Sequence, residues 1–163
     1  MSRVLIPAIA RKEELQKMWY EKYYSEDMFF CEGGNYMYPL DIPENNEHNK
    51  YAYAVIDGDK VIGYISFYFI PQQREVRGFM IMSFDKGNPK FAVALYEIKK
   101  LILSFNPHRI EWRMVAGNPV EKHYDRILES YEEHGRKIKL KDSTIDMQGN
   151  YLDEYIYEII MKG

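Results

Sequence analysis

Apolar side chains change their spacing several times along this chain, and each change marks an element. Residues 3–8 form a short apolar run ending at Pro7 and predict a first strand. From Arg11 to Tyr24, Leu15, Met18, Trp19 and Tyr23 recur at helical spacing, and Glu13 and Glu14 fall in the first turn, where the helix dipole favours negative charge. Tyr51–Ile56 and Lys60–Ile70 are rich in aromatic and β-branched residues and flank Asp57-Gly58-Asp59, a hairpin signal. Pro71-Gln72-Gln73 turns the chain again, so Glu75–Phe84 reads as the third strand of an antiparallel meander. The period then lengthens. Phe91, Ala94, Leu95, Ile98, Leu101, Ile102 and Phe105 make one helical stripe, ended by Asn106-Pro107. Arg109–Val115 alternates Ile110, Trp112 and Met114 with Arg109, Glu111 and Arg113, a strand pattern. A helix opens at Pro119, a residue suited to a first helical position; its stripe is Val120, Tyr124, Ile127, Leu128 and Tyr131, and Gly135 stops it. Ile138 and Leu140 alternate with Lys137, Lys139 and Lys141. The turn at 147–150 then leads to a last strand, Tyr151–Met161.

This order predicts an α/β (α+β) domain over 1–163: a mixed, mostly antiparallel sheet flanked by helices. The unit 75–115 is strand, helix, strand, which calls for a right-handed parallel crossover. Residues 25–50 hold Gly33-Gly34, Pro39 and Pro43; a connection that long covers a site or contains a short helix.

With 46% hydrophobic and 29% charged residues the chain is able to bury a core. The net charge of −3 and the lack of a basic stripe argue against a nucleic-acid partner. No apolar run is long enough to span a membrane, and the apolar start is too short for a signal peptide. Cys31 is the only cysteine, so no intrachain disulfide forms; a reducing cytoplasm is the expected setting. His48, His108, His123 and His134 show no zinc-ligand spacing, so no metal is expected. The three lysines at 137, 139 and 141 read as the outward face of a strand.

The order of elements resembles the GNAT superfamily of acetyl-CoA-dependent N-acetyltransferases across nearly the whole chain. The counterparts are a fourth strand at 75–84, a phosphate-cradling loop at 85–90, a long helix at 91–105, a fifth strand at 109–115 and a helix at 118–131. Gly149-Asn150-Tyr151-Leu152-Asp153 also resembles a short segment near the end of many such enzymes. The family's loop motif, Gln/Arg-x-x-Gly-x-Gly/Ala, brings main-chain amides and a helix N-terminus to the CoA diphosphate. In register this chain reads Gly87-Asn88-Pro89-Lys90-Phe91-Ala92, where Ala92 alone matches and Lys90 stands at the central glycine. Either Lys86, Gly87, Asn88 and Lys90 form a basic cradle for the same phosphates, or 85–89 is a plain strand-to-helix turn and CoA binding is weakened or lost.

The resemblance further implies that Asn118 meets the CoA arm and that Tyr124 is the general acid toward the leaving thiolate. From the residues alone, Asn118 is also a good helix cap and Tyr124 a core aromatic. Main-chain amides at Met82, Ser83 and Phe84 are the implied oxyanion donors, and Glu75 and Glu111 the candidate bases. The acids of the 25–49 segment (Glu26, Asp27, Glu32, Asp41, Glu44, Glu47), with Tyr36 and Tyr38, suggest a rim that attracts an ammonium group. The implied acceptor is a primary amine of a small molecule or a protein, and the implied assembly a monomer or homodimer. The alternative is a GNAT-fold module without catalysis that binds a ligand or partner.

Overall fold

A computed structural model describes residues 3–23, 25 and 40–162. Seven strands form one sheet: β1 (Leu5–Pro7), β2 (Lys50–Asp57), β3 (Lys60–Ile70), β4 (Glu75–Ser83), β5 (Arg109–Val115), β6 (Gly135–Ile145) and β7 (Tyr151–Ile160), in spatial order β1-β2-β3-β4-β5-β7-β6. Among the described residues the α-helices are α1 (Lys12–Lys22), α2 (Pro89–Ser104) and α3 (Glu121–Glu129). All neighbouring strands run antiparallel except β4 and β5, which are parallel and joined through α2. The predicted sheet class and crossover are therefore present.

The two faces of the sheet bury two cores. On one face, Val55, Ile65, Phe67, Val76, Ile110, Trp112, Met114 and Tyr157 pack beneath Ala94, Ile98 and Ile102 of α2 and Leu128 of α3. On the other, Ala52, Ala54, Tyr64, Met80 and Met82 pack beneath Leu15 and Trp19 of α1, joined by Leu40 and Ile42. β3 lies in the middle and is buried over most of its length, as its near-continuous apolar run requires.

Two sequence expectations are corrected here. Pro119 does not open the last helix: α3 begins at Glu121, and Pro119 and Val120 belong to the turn before it. Lys137 is not turned away from the protein. Its ammonium is bonded to Glu121 at 2.9 Å and Asp125 at 2.8 Å on α3, and lies over the rings of Tyr155 and Tyr157. Alternation identifies two faces of a strand but not which one a helix will cover. The acids Glu26, Asp27 and Glu32, with Cys31, Tyr36 and Tyr38, lie outside the described residues, so three of the six acids of the expected rim, and whether 26–39 contains a short helix, rest on sequence alone.

Candidate functional site

The parallel pairing of β4 with β5 lasts for two residue pairs, Glu75 with Arg109 and Val76 with Ile110. Beyond them β4 continues against β3 and β5 against β7, so the facing edges part and leave a fork. A bulge begins it: between Ser66 and Tyr68 of β3, Gly78 and Phe79 of β4 stand opposite Phe67 alone. Gly78 has φ of 63°, a conformation open to glycine at no side-chain cost.

The fork exposes main-chain donors. Phe84 donates its N–H to the Ile62 carbonyl at 2.8 Å. In an antiparallel ladder alternate residues face the same neighbour, so Met82 and Met80 also point their amides at β3. Phe84 and Met82 are thus corrected as oxyanion donors, because their N–H groups are consumed by the ladder. Ile81 and Ser83 point theirs into the fork.

A cavity of about 470 Å³ occupies the fork. Arg77, Gly78 and Phe79 of β4 and Glu111, Trp112 and Arg113 of β5 form two walls; Tyr68, Ile70, His48 and Asn49 complete it. Asn46, His48 and Asn49 adopt left-handed φ values of 69°, 51° and 64°, which turn the end of the 40–49 segment onto the sheet. His48 and Asn49 of that segment thus line the cavity.

Glu75 is buried away from the cavity wall. It accepts from Arg109 Nη1 at 2.7 Å, while Arg109 Nε donates to Glu158 at 2.7 Å and Nη2 to Glu111. Glu111, by contrast, lines the cavity and also accepts from Arg113 Nε at 3.4 Å. The two candidate bases are thus separated by Arg109, one inside the site and one behind it.

Tyr124 sits on α3 with its ring edge-on to Trp112 at 5.8 Å and to Tyr157 at 5.6 Å. It meets the fork through Trp112, which lines the cavity. Asn118 accepts the Val120 N–H at 3.1 Å through its side chain, which ties the turn leading into α3.

The turn at 85–90 is internally bonded. Asn88 N–H donates to the Asp85 carbonyl at 3.1 Å, Lys90 N–H to the Asn88 side chain at 3.0 Å, and Phe91 N–H to the Asn88 carbonyl at 3.1 Å. Lys90 Nζ is bound by Asp57, and Lys60 Nζ by Asp85 at 3.1 Å. Hydrogen bonds from Lys90 and then Asn88 hold the Asp57 carboxyl below the usual carboxylate range; Asn88 and then Lys60 do the same for Asp85. Two carboxylates thus hold the place where an anion would meet the N-terminus of α2. With these contacts closed the turn does not fit a diphosphate. Gly87 (φ 82°) has open space around it, and Ala92 lies exposed on α2.

Sequence reasoning passed over Arg77, Gly78 and Arg113. The available signal was Gly78 itself, since a glycine inside a strand pattern marks a bulge or a close approach.

No family profile and no curated protein sequence matches this chain. Solved structures do. An N-acetyltransferase from Staphylococcus aureus Mu50 superposes with a TM-score of 0.70 at 13% identity, over 97% of this chain and 98% of that one. A probable acetyltransferase of the GNAT family from Chromobacterium violaceum gives 0.62 at 12% identity, over 98% and 89%. The Vibrio cholerae spermidine N-acetyltransferase, in complex with CoA and spermine, gives 0.56 at 14% identity, over 91% and 74%. One further acetyltransferase structure is larger, and this chain spans 58% of its length. Superposition on these structures over nearly its whole length shows that the chain has the fold of the GNAT acetyltransferases.

Proposed function

We propose that this chain is an N-acetyltransferase that takes acetyl from acetyl-CoA and passes it to a primary amine held in the fork between β4 and β5. The observation that carries the reading is the fork itself, a cavity opened by the bulge at Gly78 and walled by the two parting strands. Acetyl-CoA supplies the activated acyl group. The amine must lose a proton before it attacks, and in this reading Glu111, the carboxylate in the cavity wall, takes that proton directly or through water. Glu75 and Glu158 fix Arg109, which in turn orients Glu111. The Ser83 amide is the remaining main-chain donor of the three named from the sequence, and a donor fixed in advance stabilises developing negative charge. Tyr124 Oη is the proton donor of this reading, with Trp112 setting its ring. Lys60, Lys86, Lys90 and the Gly87 turn hold the diphosphate once the two ion pairs at α2 open. Both pairs are solvent-exposed, and exposed pairs hold weakly.

The closed turn favours a second reading, a GNAT-fold binding module without catalysis. Thermal unfolding with acetyl-CoA separates the two. A ligand at about 100 times its Kd adds roughly 2.7 kcal/mol to stability. A rise in Tm that saturates with acetyl-CoA, with thiol release on adding amines, supports the transferase. No shift at millimolar acetyl-CoA leaves the binding module. In the transferase, Tyr124→Phe should keep the shift and lose most of the turnover.

A further inference from the structure

The charges lining the fork are not those expected of a pocket for a polyamine. Among the described residues the walls carry Arg77 and Arg113, one on each strand, against a single carboxylate, Glu111. That carboxylate is already engaged by Arg109. The two wall arginines are only loosely held: Arg77 approaches Glu75 no closer than 3.9 Å, and Arg113 approaches Glu111 at 3.4 Å and Glu154 at 3.9 Å. Glu75 is taken at 2.7 Å by Arg109, so it leaves Arg77 with most of its donors. A guanidinium has five N–H donors in a fixed fork, so both side chains, about half exposed at 51% and 46%, keep donors for a ligand.

We infer that the fork is a subsite for an amine that also bears an anionic group, a carboxylate or a phosphate, clamped across the gap by Arg77 and Arg113. The inference rests on the transferase reading for the amine, but the anion clamp itself does not. Bidentate pairing to oxyanions suits arginine better than lysine. Two guanidiniums lining one cavity repel a polycation. The fold's occurrence in a spermidine acetyltransferase therefore does not carry over to the acceptor of this chain.

Matched amines test it: 4-aminobutyrate and O-phosphoethanolamine against their neutral counterparts, 4-aminobutanamide and ethanolamine, with spermidine as the polycation. Turnover is read by thiol release from acetyl-CoA. The expected result is kcat/KM at least about tenfold higher for the anionic member of one pair, since a charge-assisted hydrogen bond is worth about that factor. Which pair shows the gain tells carboxylate from phosphate. Arg77→Gln and Arg113→Gln should each bring the ratio toward one, with Arg77→Lys and Arg113→Lys in between. Binding of the same probes without acetyl-CoA, followed by calorimetry, keeps the two ideas apart. Arginine-dependent binding of an anionic probe with no turnover upholds the clamp and ends the transferase reading. Turnover that favours spermidine or the neutral amines, or a ratio unmoved by both glutamine variants, overturns the clamp and leaves the transferase standing.

Discussion

A β-carbon at Gly63 would collide with the Phe91 ring and sit 2.8 Å from the Met82 carbonyl. The first turn of α2 therefore rests directly on β3, and that contact fixes where the helix N-terminus meets the sheet. Gly63→Ala forces the ring aside, and overpacking of this kind costs typically 1–3 kcal/mol, measurable by urea denaturation. At the same helix end, Asp57 competes with any incoming anion for Lys90. Asp57→Asn should raise the affinity for acetyl-CoA, on the order of tenfold by titration calorimetry, because a like charge beside the ligand is removed. An affinity that falls or stays level would show that Asp57 does not hold the site shut. The same carboxyl has a lowered pKa in the folded chain. Its stabilisation is present above the ordinary carboxylate value and is lost as pH falls through the lowered one, so the substitution should flatten the acid limb of a stability profile.

The contact of α3 with β6 and β7 depends on a charged group under a helix. Lys137 bonds to Asp125 and Glu121, and Tyr157 Oη donates to Asp125 at 3.2 Å. Burial pushes the Tyr157 phenol up to about 12, with Lys137 pulling the other way. Burial works against the Lys137 charge, but the hydrogen bonds it donates to Asp125 and Glu121 raise its pKa overall. Both groups are raised, so their stabilisation is complete below the unfolded values near 10 and fades as pH climbs from there toward 12. Thermal scans from pH 9 to 11.5 should show Tm falling, and Tyr157→Phe should make the fall shallower. An equally steep fall in the variant would place the titrating group elsewhere. Elements like β3 and β5 were legible to the residue because their apolar runs and alternation are local properties. The Lys137 clamp was not. Its partners are 12 and 16 residues away on a helix whose docking depends on the whole sheet.

The candidate site was legible only where it coincides with an element boundary. The crossover from β4 to β5 followed from periodicity, but the fork arises because β4 stays on β3 and parts from β5 beside one bulge, and the register of three strands decides that together. A fork also has a measurable signature. Met80, Met82 and Phe84 amides are bonded to β3, whereas those of Ile81 and Ser83 face the gap left by β5. Native-state hydrogen exchange by NMR should therefore alternate along β4, fast at 81 and 83 and slow at 80, 82 and 84, since protection follows the hydrogen bond that must open. Acetyl-CoA entering the fork should slow 81 and 83 and leave the other three unchanged. Uniform protection along β4 without ligand would mean that the two strands are zipped to their ends. The cavity, the clamp and the acyl-transfer reading would then lose their common ground, although every strand and helix stayed where it is.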